Sequence, residues 1–320
     1  MAVFDAAAGV LDLAEIAVAV TDGRTMPGLA GAAGRAGPLF DALRLAPPPS
    51  VAGLVGRPLG RLHLGNEFCE RLVPSPTLLK RSIGLADAAG LALTLATPAV
   101  PDSGLARLVR LFRMLPEGAE VVANDYGVLR LLAREFPALE PVAGRQLCKM
   151  IKDPRLPNEK WARLNPPGLG SPEFESLLGR FGIRRAELDV PPFARPADLR
   201  AGGLALSVHA PFGYALRGRV CRIGSLRFDG AAKFRPDQDC AKECLRWSCR
   251  LTRPAGRGDQ DLGSFQRGNS IFYRHDRGMQ DALWQALANG WVDRIVLPGD
   301  WCEPGFGETG EGRHADHRTH

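Results

Sequence analysis

The sequence predicts an α/β protein in which strands and helices take turns along the chain, and three observations carry that expectation. From Arg61 onward, short apolar runs of strand length alternate with longer stretches whose apolar residues recur at helical spacing. The alternation repeats often enough within 320 residues to fill a barrel, which needs roughly 240 residues. Polar or reactive residues follow the strand candidates directly: Glu67 and Cys69, Thr97, Asn124 and Asp125, Gly144 and Arg145, and His209. In a barrel such positions all fall at the C-terminal mouth, where catalytic groups gather. The expected fold is therefore a TIM-barrel-like (β/α) barrel, complete or distorted, with an appended N-terminal segment. A doubly wound open sheet is the main competitor.

Taken in order, residues 1–58 are rich in Ala, Gly and Pro and end in Pro47-Pro48-Pro49-Ser50, so they read as an N-terminal extension. Within it, Leu11 to Val20 has apolar spacing compatible with a helix. The barrel domain is expected over 59–302. Its strand candidates are Arg61–Leu64, Leu91–Thr97, Glu120–Asn124, Glu140–Ala143, Ala186–Val190, Leu204–His209 and Arg294–Leu297. Helical spacing marks Leu105–Met114, Gly127–Glu135 and Glu173–Phe181. Residues 303–320, dominated by Gly, charge and His, are expected to be a disordered tail.

Composition narrows the setting. No run of about 18 or more apolar residues is present. The start, Met1-Ala-Val-Phe-Asp5, lacks the basic segment of a secretory signal, so a cytoplasmic location is expected. The net charge of +6 is modest and its basic residues are scattered, which gives only weak support to an RNA partner. Two motif matches are accidental. Gly305-Phe-Gly307-Glu-Thr-Gly310 has too little chain after it for a dinucleotide site. His314, His317 and His320 fall in the tail, where ordering entropy opposes metal binding.

The seven cysteines say more. In a reducing compartment they are not expected to form disulfides, and a local cluster reads first as a metal or redox site. Cys240-Ala-Lys-Glu-Cys244 forms a C-x3-C pair, Cys249 follows closely, and Cys221 lies upstream. Thiolates are the ligands of iron–sulfur clusters, and a fourth ligand can come from far away in sequence. Lys242, Arg246 and Arg250 stand close in sequence, where positive charge would favour thiolates. Zinc is the alternative metal, although its commonest knuckle is C-x2-C. Cys148 and Cys302 read as ordinary buried cysteines.

The segments Leu64-Gly65-Asn66-Glu67-Phe68-Cys69, Gly218-Arg219-Val220-Cys221 and Cys240-x3-Cys244 resemble the collagenase-like U32 peptidase family. The resemblance is nearest to its small iron–sulfur members of oxygen-independent ubiquinone biosynthesis. A strand end of those relatives, Ser-Asp-x-Gly, is matched by Asn124-Asp125-Tyr126-Gly127. The resemblance implies a 4Fe–4S cluster held by Cys69, Cys221, Cys240 and Cys244. Cys249 is an alternate ligand in the same loop, and the wide gap from Cys221 to Cys240 departs from the relatives. The resemblance also implies oxygen-independent hydroxylation of a quinone precursor or related small molecule, in a heterodimer with a larger paralogue. Hydroxylation of RNA bases is the alternative activity. The family name says peptidase, yet neither a His-Glu-x-x-His nor a Gly-x-Ser-x-Gly motif is present.

Candidate catalytic residues are Glu67, Asp125 and His209, the last two assembled as an acid/base pair. Asn124, Arg145, Lys152 and Arg155, with Lys149 beside them, are candidates for binding an anionic substrate.

Overall fold

The computed structural model describes residues 14–25, 57–148, 150–164, 168–235, 238–251 and 262–300. Its centre is a closed barrel of eight parallel strands. In chain order the barrel strands are β1 (Glu15–Val20), β2 (Arg61–Gly65), β3 (Ala92–Thr97), β4 (Glu120–Ala123), β5 (Glu140–Ala143), β6 (Arg185–Leu188), β7 (Ala205–His209) and β12 (Arg294–Pro298). Around them lie helices α1 (Pro76–Ala88), α2 (Asp102–Phe112), α3 (Tyr126–Glu135), α4 (Glu159–Ala162), α5 (Pro172–Arg180) and α6 (Arg277–Ala288).

The strands form because parallel strands covered on both sides must be apolar almost throughout. Val18, Leu62, Leu64, Leu95, Val121, Ala143, Leu188, Val208, Ile295 and Leu297 are all fully buried. Helix starts are written in capping residues. Ser75, Asp125, Ser171 and Asp276 each accept a hydrogen bond from a backbone N–H in the first turn of α1, α3, α5 and α6. Pro76 and Pro172 supply the fixed φ that suits a first turn.

The N-terminal region corrects the expectation of a purely appended segment. Glu15–Val20 is a strand, not a helix, and it closes the barrel by pairing with both β12 and β2. Its β-branched residues Ile16, Val18 and Val20 suit the pleated surface, and tertiary pairing overrides the local helical spacing.

Between β7 and β12 the chain inserts a second sheet. Its strands β8 (Phe212–Arg217), β9 (Cys249–Leu251), β10 (Ser264–Arg267) and β11 (Ser270–Arg274) run antiparallel in the order β8-β11-β10-β9. Phe68, which follows β2, packs with Phe212, Tyr214, Phe265 and Phe272 of this sheet in one buried aromatic cluster. The sheet therefore sits against the C-terminal mouth. At the opposite end of the barrel, Arg294 pairs with Glu15 and Glu120, and Arg61 pairs with the same two carboxylates. These ion pairs occupy the barrel floor.

Candidate functional site

The mouth is built from strand ends. Gly65 ends β2 with φ +119, a conformation that L side chains rarely adopt, and a Cβ there would be driven into the Ala96 carbonyl oxygen. The chain can thus turn sharply into Asn66, whose Oδ1 accepts from the backbone N–H groups of Phe68 and Cys69 at 2.9 and 2.8 Å. That turn sends Glu67 into the barrel and Cys69 toward the inserted sheet. Asn269 reaches across from the sheet and donates to the Phe68 carbonyl at 2.9 Å.

Glu67 meets Arg145, which follows β5. Arg145 Nε stands 2.9 Å from Glu67 Oε1, and Nη2 stands 2.7 Å from Oε2, a bidentate pair. The third face of the guanidinium is 2.7 Å from Asp189 Oδ1, and Lys152 Nζ lies 2.6 Å from Asp189 Oδ2. Lys152 also lies over the Tyr214 ring, 4.0 Å from its centroid. All four charged groups are buried. Burial works against the charge of Arg145, but the carboxylates of Glu67 and Asp189 outweigh it and raise the guanidinium pKa. Burial likewise opposes the charge of Asp189, and Lys152 and Arg145 overcome it, leaving a carboxylate well below its ordinary range.

Below this network sits Glu187 of β6, with a histidine on either side. His209 Nε2 is 3.0 Å from Glu187 Oε2, and His63 Nδ1 is 3.4 Å from Oε1. Burial raises the Glu187 pKa. It also lowers both imidazoles, His63 to about 3 and His209 to about 4, so they are neutral near pH 7. A small pocket is lined by His63, Glu67, Arg145, Glu187 and His209, with Thr21 and Phe212 also in its wall.

Next to it lies a second small pocket, lined by Cys69, Cys221, Cys240 and Cys244. Asn66 and Phe68 line both, so the two pockets share a wall. The cysteines arrive from three parts of the chain, and backbone N–H groups point at their sulfurs. Gly224 donates to Cys221 Sγ at 3.2 Å, and Lys242, itself at φ +58, donates to Cys240 Sγ at 3.4 Å. Such donors stabilise metal-bound sulfur and set cluster potentials. At Cys69 the Leu72 N–H donates to the carbonyl oxygen at 3.0 Å. Gly268, at φ +60, lies against Cys244, and a Cβ placed there would stand 3.3 Å from Cys244 Cβ. Burial pushes the Cys244 thiol up to about 12 and raises those of Cys69 and Cys221.

Four thiols lining one pocket are a donor set that an iron–sulfur cluster or a zinc ion can use. Among the described residues, the one His/Cys/Asp/Glu trio whose ligand atoms all lie within 4.8 Å of one another is Glu67, Glu187 and His209.

Several expectations are corrected. Cys249 is exposed on β9, its Sγ 3.6 Å from the Arg250 carbonyl oxygen, and it does not line the cysteine pocket. The cations acting on the thiols are Arg217 for Cys69 and Arg267 for Cys244, in place of the sequence neighbours Lys242, Arg246 and Arg250. Asp125 does not pair with His209. It caps α3, accepting from the Gly127 N–H at 2.5 Å and the Val100 N–H at 3.3 Å.

Asn124 is a structural bridge. It donates to the Thr97 carbonyl at 3.0 Å and accepts from Gln146 N at 3.1 Å, and it lies outside the mouth pocket. Arg155 is exposed and paired with its neighbour Asp153. Cys148 is buried, as an ordinary core cysteine would be. Lys149, Cys302 and the 303–320 tail lie outside the described residues. Glu67, Arg145, His209 and Lys152 do meet at or beneath the mouth, joined by His63, Glu187 and Asp189, which sequence reasoning passed over. Their signal is charged or imidazole side chains inside apolar strand runs, as in Ala186-Glu187-Leu188-Asp189-Val190.

No family model matches the sequence, and no curated protein matches it. Among solved structures, the U32 peptidase Mk0906 aligns over 91% of this chain and 94% of its own, with 11% identity and a TM-score of 0.40. A GH18 chitinase from Cycas revoluta, determined with (GlcNAc)3, aligns over 75% of each chain with 13% identity and a TM-score of 0.26. Among the described residues, no helix is long and apolar enough to cross a membrane.

Proposed function

We propose that this chain is an iron–sulfur protein of the U32 kind, which holds a 4Fe–4S cluster on Cys69, Cys221, Cys240 and Cys244 and takes part in oxygen-independent hydroxylation of a small molecule. The observation that carries the reading is the convergence of these cysteines, remote in sequence, on one pocket that shares a wall with the barrel mouth. When bound, the cluster supplies redox reach that side chains lack.

The chain's own residues would do the rest. Hydroxylation with water as the oxygen source releases an electron pair and protons from each C–H bond converted. The electron pair has to leave to an organic two-electron acceptor, such as a quinone, used as co-substrate. Glu187 and His209 line the same mouth, where a bound substrate would meet them. Arg145 is spent on Glu67 and Asp189, so it positions Glu67 and does not greet an anion directly.

Purification without oxygen tests the reading. A brown protein with about four irons per chain is expected, and Cys240→Ser should lose most of that iron. Colourless protein with stoichiometric zinc and no iron would sink it. The activity is tested separately, by product levels of the candidate quinone precursor in an anaerobic deletion strain, where unchanged levels remove that pathway.

A further inference from the structure

The barrel mouth carries more polar machinery than the cysteine pocket explains. Glu67, Glu187 and His209 come from three different strand ends, all are buried, and one ligand atom from each lies within 4.8 Å of the others. Ligands bonded at about 2.1 Å to one ion stand roughly 3 to 4 Å apart, so the trio closes on a cation with small side-chain movements. His209 Nε2 and Glu187 Oε2 are already 3.0 Å apart.

A second observation points the same way. Glu187 Oε1 is buried and has no hydrogen-bond partner, although His63 Nδ1 is 3.4 Å away, and His63 Nε2 is equally unpartnered. Both residues line the mouth pocket. A buried carboxylate oxygen without a donor is costly, and proteins keep such atoms where a ligand or ion completes them. Charge counting agrees. Arg145 and Lys152 answer Glu67 and Asp189, and Arg294 is held by Glu15 and Glu120. Glu187 has two imidazoles as its close partners and feels Arg145 and Arg294 only at longer range, without an ion pair.

We infer that Glu67, Glu187 and His209 form a binding site for a single first-row divalent cation in the barrel mouth, separate from the cysteine pocket. Two carboxylates and one imidazole make a hard to borderline donor set, suited to Mn²⁺ or Fe²⁺ more than to a thiophilic ion. Arg145 fixes the first carboxylate by its bidentate bond, and His63 stands behind Glu187, the supporting partners that metal-bound carboxylates need. The open side of the pocket leaves coordination positions for water or for an oxygen of the substrate. An ion there would bind and polarise that oxygen beside the shared wall of Asn66 and Phe68.

The test uses the full-length protein, purified anaerobically with whatever cluster it carries. Mn²⁺ is titrated in and followed by calorimetry and by loss of the free-ion paramagnetic resonance signal. About one equivalent per chain is expected to bind. Glu187→Gln, a near-isosteric change, should weaken binding at least tenfold while leaving iron content and thermal midpoint close to the parent. His209→Ala should do the same to binding. Cys240→Ser should keep Mn²⁺ binding while losing cluster iron. No Mn²⁺ binding by the parent, or binding untouched by Glu187→Gln, overturns the inference. Because the two sites are read out separately, a protein that binds Mn²⁺ but no iron–sulfur cluster would refute only the proposed function.

Discussion

The Lys152 ammonium stands 2.6 Å from Asp189 Oδ2, with both groups buried beneath the barrel mouth. The same carboxylate accepts from the Tyr214 backbone N–H at 2.9 Å and faces Arg145 at 2.7 Å, so it ties the inserted sheet to the barrel through one side chain. Asp189→Asn would leave two buried cations short of a counter-charge. A loss of about 3–5 kcal/mol is expected, read from urea unfolding. Adding Lys152→Met should recover part of the loss, and a double variant no better than the single would contradict the pairing.

Acid should unfold this protein earlier than its charge suggests. Burial lowers His63 to about 3, His209 to about 4 and His275 to about 3, against an ordinary value of 6.5. Each is neutral when folded and binds a proton when unfolded, so its contribution is complete above about pH 6.5 and is lost as pH falls toward the folded values. For Glu120, burial pushes up, but hydrogen bonds and charge from Arg294 and Arg61 win and hold it at about 2 against 4.5. Its contribution is present above about pH 4.5 and is lost below. Urea midpoints should therefore decline from about pH 6.5 and more steeply under about pH 4.5. A flat profile down to about pH 5 would contradict the buried neutral histidines.

Cys249 and Cys240 are close in sequence but should behave differently. Under the proposed ligand set, Cys240→Ser removes most of the bound iron, whereas Cys249→Ser leaves iron content and colour unchanged, because Cys249 does not line the cysteine pocket. Equal iron loss in both variants would return Cys249 to the ligand set.

Gly268→Ala tests the backbone of the cysteine pocket. The φ of +60 makes a Cβ costly by roughly 1–2 kcal/mol, and that Cβ would stand 3.3 Å from Cys244 Cβ. A fall in Tm of about 2–4 °C per kcal/mol is expected, with lowered iron content. Unchanged Tm and iron would show that the turn tolerates a side chain.

The seven barrel strands after Arg61 were legible because buried parallel strands are nearly continuous apolar runs. The eighth was not, because Glu15–Val20 is Ala-rich and follows residues that extend a helical spacing. Only pairing with β2 and β12 decides its state. Helix α1 had a written start, Ser75 followed by Pro76, that apolar spacing alone did not expose. The inserted sheet stayed hidden because Gly213 and polar residues break its strands, and its reason to exist is tertiary: Gly213 leaves room for the Tyr273 ring, whose OH donates to the Val190 carbonyl at 2.7 Å.

At the site, the meeting of Cys69 with the later cysteines was readable from a family pattern. The division of labour among the strand-end polar residues was not. Asn124 and Asp125 look as chemical as Glu67, and only geometry shows them bridging strands and capping a helix.

The pairing of β1 with β12 has a consequence for biosynthesis. The first and last strands of the barrel are separated by nearly the whole chain, so the circle cannot close until the ribosome has released residues beyond Pro298. Nascent chains would wait with open strand edges, and chaperones would have to act late, on chains whose synthesis has passed that strand.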